Sequence, residues 1–384
     1  MSQLNQGTIG ILPTGALGVS FYYHLTQRLQ NEDGSVRFIE RAGSASAALL
    51  RRGRVLRIAD SAGVHEKEIH NRVWPDLIQC HESGSLPEIL LVCTNPDQLL
   101  VSLTPCVQLL EQFYKADNLD PLHLPLPTLV LCSNGIYFQR IRQVFLEKLE
   151  EATLLGRLPD LWPDLMPRIV GKLMRGVTIQ TGIRQGDGVD AIYRPGPRGI
   201  TRLAGGDTQN RERAHALLEH KGLWVEAVDS GSPTRAEFDK ALVNLVANLL
   251  GQWVAIDETG KFTPLTISQV LEKVGEERVR ELGHQVIAVG RAVRAYGLHE
   301  EEESLLDAVL ENLRAHGEHS PSSLQWLEMR LKQGQPVRSL TPTELWLLDP
   351  LIHYARSAEL ESATHYFENL KRGLQEKLQR AYLI

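Results

Sequence analysis

Short apolar runs alternate with helical patterns in the N-terminal part of the chain. The runs cover Gly7 to Leu12, Glu88 to Thr94 and Thr128 to Ser133, with a further strand-like stretch at Val36 to Ile39. Runs that are apolar at almost every position are typical of parallel strands buried on both faces. Residues from about Gln98 to Tyr114 have apolar side chains at helical spacing. Strands that alternate with helices predict an open, mostly parallel α/β sheet.

The pattern changes after Gly176. Three short alternating stretches, GVTIQTGIR, VDAIYR and GITRLAG, are separated by the turn-rich segments QGDG and PGPR. They predict antiparallel strands added to the sheet. From Thr234 to the end, almost every segment has the period of a helix. We therefore predict an α/β domain over residues 1–232 and an all-helical domain over residues 233–384.

A glycine-containing turn, PTGALG, follows the first predicted strand and leads into a helical pattern. Strand, glycine turn and helix form the opening of a Rossmann dinucleotide-binding domain, in which the pyrophosphate lies at the helix start. Gly15 and Gly18 fill the positions for close backbone approach and for helix packing, whereas Pro13, which has no N–H, replaces the first glycine. The alternative is a purely structural turn. The residues that we predict to bind the cofactor here are Gly15, Ala16, Leu17 and Gly18.

The second predicted strand ends in Glu40-Arg41, and this pair bears on the choice of cofactor. An acidic residue at this position binds the adenosine ribose hydroxyls of NAD, whereas an arginine can pair with the 2′-phosphate of NADP. Because both residue types are present, this segment alone leaves NAD and NADP open.

Lys240, Asn244 and Asn248 interrupt an otherwise apolar helical segment, EFDKALVNLVANLLGQWV. Each step of four residues advances about 400° around a helix, so the three side chains line one face with a drift of ~40° per step. The alternative is a solvent-facing stripe, which is normally wider and more charged. A desolvated lysine is a tunable proton donor, and asparagines can hold hydroxyl or carboxylate oxygens. This set fits the reduction of a carbonyl, in which a proton donor quenches the developing alkoxide.

Composition narrows the class of protein. The chain has 384 residues, of which 42% are hydrophobic and 23% charged, as in a soluble globular protein. The net charge of −6 argues against nucleic-acid partners. No apolar run approaches the ~18 residues of a membrane span, and the N-terminus lacks the features of a signal peptide, so a cytoplasmic location is expected.

The segment HEKEIH has the wrong spacing for a zinc site, since His65 and His70 would lie ~140° apart on a helix, and we expect no metal.

Several segments together resemble the ketopantoate reductase family. The resemblance is carried in patches by TIGILPTGALG, FIERAG, ILLVCTNPDQL, LVLCSNG, FDKALVNLVANLL, SPSSLQ and PTELWLLDPLIHYA. It implies an N-terminal Rossmann domain, a C-terminal helical substrate and catalytic domain, and NADPH-dependent reduction of a 2-oxo acid, ketopantoate or a related one, in a cleft between the domains. Ketopantoate as the substrate would place the chain in pantothenate biosynthesis.

The same resemblance implies roles for individual residues. Lys240 matches the family's general acid, and Glu344 matches the acid that orients its site. Arg41 matches the residue that contacts the NADP phosphate. The remaining matches are substrate-binding residues, Asn244, Asn248 and Ser323, a cofactor-binding residue, Gln98, and Asn134, which reaches both the nicotinamide and the substrate.

The chain also departs from the family pattern. Asn95 stands where the family has a lysine that holds cofactor or substrate, and Pro13 replaces a glycine. Residues 115–125, 149–167 and 329–340 look like insertions, and the last of them is expected at the rim of the substrate cleft. These departures leave a second hypothesis open, a non-catalytic NADP-binding sensor or scaffold derived from the family. The oligomeric state is open between a monomer and a homodimer.

Overall fold

The computed structural model describes residues 7–27, 34–40, 53, 55–69, 73–74, 76–186, 188–228 and 232–383. The chain divides into two compact units. The first comprises Met1–Ser133 and Phe138–Pro233, and the second comprises Asn134–Tyr137 and Thr234–Ile384. Each unit has its own hydrophobic core. The four residues 134–137 thus belong to the helical unit, although strands and helices of the first unit flank them in sequence.

The first unit is built on an eight-stranded sheet with the strand order β12-β11-β8-β7-β6-β1-β2-β5. All neighbouring pairs are parallel except β8 and β11, which are antiparallel. The bounds of these strands are β1 Ile9–Leu12, β2 Val36–Ile39, β5 Val73–Trp74, β6 Ile89–Val92, β7 Thr128–Leu131, β8 Leu173–Thr178, β11 Ile200–Gly205 and β12 Trp224–Ala227.

The central strands β1, β6 and β7 are buried at every position, as their continuous apolar runs predict. Because β1 pairs with β2 on one side and with β6 on the other, the strand order reverses between β1 and β6. Open α/β sheets bind ligands at the carboxyl ends of the strands beside such a reversal. The glycine turn follows β1 at this edge, and the segment that contains Gln98 follows β6.

A second, four-stranded sheet was not predicted as such. Its strand order is β4-β3-β10-β9, with β3 Val55–Asp60, β4 Gly63–Glu68, β9 Gly182–Gln185 and β10 Ile192–Pro195. The three alternating stretches after Gly176 were expected to join one sheet, but only β8 and β11 do so. His65 lies on β4, an exposed edge strand, and not on a helix; His70 lies outside the described residues.

The helices of the first unit within the described residues are α1 Ala16–Thr26, α2 Leu77–Glu82, α3 Leu99–Lys115, α4 Phe138–Leu154, α5 Leu165–Gly171 and α6 Thr208–His220, with short 3₁₀ turns at Pro96–Gln98 and Gly188–Asp190. The predicted insertion 115–125 follows α3, and 149–167 covers the end of α4 and the segment that leads into α5. Three large apolar side chains of that second segment are exposed, namely Leu154, Leu155 and Trp162.

The second unit is helical, as predicted. One long helix changes its winding along its length: α7 Pro233–Asn244 continues into a π-helical turn at Leu245–Leu250 and then into α8 Gly251–Ala255. The other helices are α9 Ile267–Val274, α10 Glu276–Ala292, α11 Glu302–Ala315, α12 Ser322–Lys332, α13 Pro342–Ser357 and α14 Glu361–Arg380. Among the described helices, none is both long and apolar enough to cross a membrane.

Residues 329–340 form the end of α12 and the connection to α13. Val337 and Leu340 of this connection are 4% exposed and belong to the helical core. The predicted insertion therefore contributes to packing in its own unit. Its predicted place at the rim of the substrate cleft stays a prediction.

We expect Gly290→Ala to destabilise the helical unit. A Cβ at Gly290 in α10 would lie 2.4 Å from the ring of the buried Tyr296, and overpacking of this kind costs about 1–3 kcal/mol. Gly251→Ala is the matched control, because the nearest atom to its Cβ would be 3.5 Å away and alanine is favoured over glycine in a helix by up to ~1 kcal/mol. Thermal melting followed by circular dichroism should show a lower Tm for the first variant only; an equal loss for both would contradict the packing argument.

Candidate active site

The glycine turn of the first unit has the geometry expected at a phosphate-binding helix start. The Gly15 N–H donates to the Pro13 carbonyl oxygen at 2.9 Å, and α1 begins at the next residue. A Cβ at Gly18 would lie 2.3 Å from that same carbonyl oxygen, so only glycine lets the helix pack this closely under the turn. The nearest atom to a Cβ at Gly15 would be Pro13 Cγ at 4.0 Å, which leaves the turn open on that side. Among the described residues, no side-chain hydrogen bond caps the start of this helix, where the sequence predicts that Ala16 and Leu17 bind a pyrophosphate.

The side chain of Glu40, at the end of β2, contacts the same glycine turn. Its carboxylate is 1% exposed. Glu40 Oε1 accepts the backbone N–H of Thr14 at 2.9 Å and also the Thr14 hydroxyl. A buried carboxylate needs such donors, since desolvation is otherwise expensive. This contact gives Glu40 a structural role. The sequence pattern had indicated a different role, which was to bind the adenosine ribose hydroxyls. Arg41 lies outside the described residues.

The second sheet also reaches the glycine turn, which the sequence did not reveal. The Tyr193 hydroxyl on β10 donates to the Thr14 carbonyl oxygen at 3.3 Å. Burial raises the pKa of Tyr193, the nearby Arg184 opposes the rise, and Glu40 adds to it. Arg184 is paired with Tyr193 in the β9–β10 register, so the two side chains leave the same face of the sheet. A cation thus lies beside Tyr193.

Gln98 is the last residue of the 3₁₀ turn that follows β6, and it is half-buried. Asn95, the position at which the family has a lysine, precedes that turn and is exposed. Both positions therefore follow the carboxyl end of β6, the strand next to β1.

Lys240, Asn244 and Asn248 form the polar stripe of the second unit, and the two asparagines belong to a connected group of side chains. Asn248 Nδ2 donates to Asn244 Oδ1 at 3.3 Å. The backbone N–H of Ser323, at the start of α12, donates to Asn248 Oδ1 at 3.2 Å, and its hydroxyl donates to the Asn248 carbonyl oxygen at 3.2 Å. Lys240 lies one turn before Asn244 on the same helix and is half-buried. Three of the residues predicted to bind substrate are thus brought together.

The stripe includes a π-turn, in which i→i+5 hydrogen bonds replace the usual i→i+4 pattern. Asn248 lies inside this turn, while the apolar residues around it are buried. Such turns are often found at functional sites. The regular helix that the sequence predicted is therefore interrupted at Asn248, one of the residues predicted to bind substrate.

Glu344 is held at both carboxylate oxygens. It is the third residue of α13, and its Oε2 accepts the Thr341 backbone N–H at 2.5 Å in a capping box. Its Oε1 accepts the side-chain amide of Gln252 at 2.6 Å. Burial raises the pKa of Glu344, and the hydrogen bonds from Thr341 and Gln252 oppose the rise. Gln252, four residues beyond Asn248, is a site residue that the sequence analysis missed.

Asn134 opens the four-residue segment that belongs to the helical unit, and its side chain is exposed. The Ile136 N–H donates to the Trp346 carbonyl oxygen of α13 at 3.0 Å, and the Tyr137 N–H donates to the Glu237 carboxylate of α7 at 3.2 Å. Glu237 of α7 is thus a partner of this segment. The backbone that carries Asn134 is therefore fixed by both α7 and α13.

Arg175, in the first unit, is a further residue that periodicity could not single out. It is 2% exposed on β8. Its guanidinium donates to the carbonyl oxygens of Leu131 and Ser133, at 2.6 Å each, and to that of Gly176 at 3.0 Å. It therefore fixes the backbone at the end of β7, up to the residue before Asn134.

Comparisons with known proteins agree with this architecture. No protein-family model and no curated protein matches the chain. Among solved structures, a D-mandelate dehydrogenase in complex with NADH has a TM-score of 0.62 at 16% identity, over 97% of this chain and 99% of that one. A ketopantoate reductase from Staphylococcus aureus has a TM-score of 0.54 at 14% identity, over 97% and 99%. A 2-dehydropantoate 2-reductase from Porphyromonas gingivalis W83 has 0.57 at 13% identity, over 96% and 99%.

The chain has the ketopantoate reductase fold. The fold class predicted from the sequence, a mostly parallel sheet with antiparallel additions followed by helices, is thereby confirmed. The likeness to the solved ketopantoate reductases extends over nearly the whole chain.

We expect Thr14→Val to destabilise the first unit. The change keeps the side-chain shape but removes the hydroxyl that donates to the buried Glu40 carboxylate. Loss of a hydrogen bond to a charged group costs about 1.5–3 kcal/mol. Thr14→Ser, which keeps the hydroxyl, is the control and should lose less. Urea unfolding would measure both, and a valine variant as stable as the wild type would show that Glu40 does not depend on this contact.

Proposed function

We propose that the chain is an oxidoreductase that uses NADPH to reduce a 2-oxo acid, ketopantoate or a related one, to a 2-hydroxy acid. The observation that carries the proposal is the hydrogen-bonded group formed by Asn244 and Asn248, on the helix that presents Lys240, with Ser323 at the start of α12. The fold likeness supports it. The D-mandelate dehydrogenase was also solved with NADH and anilino(oxo)acetate, and that structure covers 97% of this chain with a TM-score of 0.62.

The residues have separate roles in this proposal. Lys240 is the general acid: as an ammonium it stabilises the negative charge that develops on the carbonyl oxygen and transfers its proton to that oxygen. Asn244 and Asn248 hold the substrate oxygens, and Ser323 binds the carboxylate. Lys240 regains a proton from water after the hydroxy acid leaves.

The cofactor assignment rests on the open glycine turn and on two cations, Arg41, which follows β2 in the sequence, and Arg184, which acts on Tyr193 beside the turn. When bound, NADPH would supply the hydride to the carbonyl carbon. The helix start at Gly15 to Gly18 would hold its pyrophosphate and Arg41 would pair with its 2′-phosphate. Gln98 and Asn134 are the further residues that the family resemblance assigns to the cofactor. Because Glu40 is engaged with Thr14, we favour Arg41 over Glu40 as the residue that discriminates between the cofactors.

The second candidate is a non-catalytic NADP-binding sensor. The observation in its favour is Asn95, an exposed residue where the family has a lysine. Both candidates are expected to bind NADPH, so turnover separates them. We expect oxidation of NADPH, followed by its absorbance, with at least one member of a panel of 2-oxo acids that includes ketopantoate and phenylglyoxylate. Tight NADPH binding without turnover on any of them would favour the sensor.

Lys240→Ala is the central test of the mechanism. Because general acid catalysis contributes about 10²–10⁴ in rate, kcat should fall by that factor while NADPH affinity stays near that of the wild type. Asn244→Ala and Asn248→Ala should mainly raise KM, since they hold substrate in the ground and transition states alike. Lys240→Ala with wild-type kcat and an unchanged Tm would remove Lys240 from the mechanism. A variant that melts early and binds no cofactor would indicate a structural role instead.

Arg41→Ala should weaken NADPH binding about ten- to a hundredfold and leave NADH binding nearly unchanged. Loss of a charge-assisted contact with the 2′-phosphate costs about 1.5–3 kcal/mol, and NADH has no such group. Titration of the protein with each cofactor, followed by nicotinamide fluorescence, would measure both constants. An equal loss for the two cofactors would contradict the assignment.

A further inference from the structure

Gln252 has a place in the helical unit that the proposed reaction does not yet explain. It lies in α8, directly after the π-turn, and is 0% exposed. Its Nε2 donates to Glu344 Oε1 at 2.6 Å. Its own oxygen, Oε1, is buried and has no hydrogen-bond partner among the described residues.

A buried glutamine with one unsatisfied end is expensive. An apolar side chain of the same length would fill this space without the desolvation of an amide. The Nε2 donor of the same amide is therefore the physical reason for a glutamine at this position. It supplies the second of two hydrogen bonds that hold the Glu344 carboxylate, the first being the Thr341 N–H at 2.5 Å.

The contact between Gln252 and Glu344 joins two parts of the candidate site. Gln252 is on the helix that carries Lys240, Asn244 and Asn248. Glu344 is in the first turn of α13, two residues before Trp346, whose carbonyl oxygen accepts the Ile136 N–H at 3.0 Å. Trp346 also lies under Gly135, where a Cβ would be 2.9 Å from the Trp346 Cβ. The start of α13 thus contacts two other segments. Glu344 contacts Gln252 on the helix that carries Lys240, and Trp346 contacts the segment that begins at Asn134.

We propose that Gln252 is a positioning residue, whose amide fixes the Glu344 carboxylate and the start of α13 against the helix that carries Lys240. The inference rests on the proposed function, because the role that the family resemblance implies for Glu344, an acid that orients the site, belongs to that reaction. Gln252 itself touches neither substrate nor cofactor and acts through Glu344. Its effect on catalysis should therefore disappear when Glu344 is already altered.

A double-mutant cycle tests this dependence. The variants are Gln252→Leu, Glu344→Gln and the two combined, measured with NADPH and the best substrate of the panel. We expect each single change to lower kcat about tenfold, and the double variant to be no slower than Glu344→Gln alone, because residues that act as a unit are not additive. NADPH affinity should stay within about twofold of the wild type. Losses that multiply to about a hundredfold in the double variant would overturn the proposal.

The control is a change that weakens the same unit elsewhere. Thr266→Val removes the side chain from a capping box of the same kind at the start of α9. It should lower Tm, because a capping hydrogen bond is lost, and leave kcat unchanged. If Thr266→Val lowers kcat as much as Gln252→Leu, the effect is one of general stability and the proposal fails.

A readout that needs no turnover separates this inference from the proposed function. In protein labelled with ¹³C at glutamate carboxyls, the Glu344 resonance is the one that disappears in Glu344→Gln. Loss of the Gln252 donor should move its titration to higher pH, since that hydrogen bond opposes the rise that burial causes in the pKa. A wild-type protein without reductase activity would refute the proposed function and leave this measurement intact. An unchanged titration in Gln252→Leu would overturn the role of Gln252.

Discussion

The candidate site depends on one constraint, which is that polar side chains inside an apolar helix bundle must have hydrogen-bond partners. The helix from Pro233 to Ala255 is packed among apolar side chains along most of its length. Asn244 and Asn248 bind each other, and Asn248 is also bound by Ser323. Gln252 is bound to Glu344. Asn248 and Gln252 thus each contact the start of a neighbouring helix, and these two helix starts carry Ser323 and Glu344, two of the predicted site residues.

The same principle operates in the first unit with a charged group. The Glu40 carboxylate is buried at the end of β2, and its donors are the backbone and the hydroxyl of Thr14 in the glycine turn. Two strand ends are thereby tied together at the edge where the strand order reverses. Tyr193 adds a contact from the second sheet to the same turn. The geometry of the turn is therefore maintained by its neighbours as well as by Gly18.

Local patterns were enough to predict the main sheet and the helical unit, because buried parallel strands and amphipathic helices leave strong periodic signals. They failed for the second sheet. Its strand β4 is exposed at nearly every position, so no apolar face marks it. Its parallel pair, Arg57 with Ile192, joins residues that are far apart in sequence. A sheet of this kind is specified by tertiary contacts that a single sequence does not display.

The candidate site, like the fold, was only partly predictable from the sequence. Helical spacing found Lys240, Asn244 and Asn248, and the resemblance added Ser323, Glu344 and Asn134. Spacing did not find Gln252, since a regular helix would carry a residue twelve positions beyond Lys240 about 120° away from it. The structure has a π-turn between them, and each residue of such a turn advances by less than the ~100° of an α-helix.

The π-turn itself is a consequence of these partners more than of its own sequence. Its residues, LVANLL, are mostly good helix formers and would favour a regular α-helix in isolation. Two sets of contacts oppose a regular α-helix here. Ser323 binds the Asn248 backbone and side chain, and Glu344 binds the Gln252 amide. A regular helix would rotate the second of these residues away from its partner and leave the Glu344 carboxylate buried with one donor fewer. The extra residue in the turn therefore persists because it lets both polar contacts form on one helix.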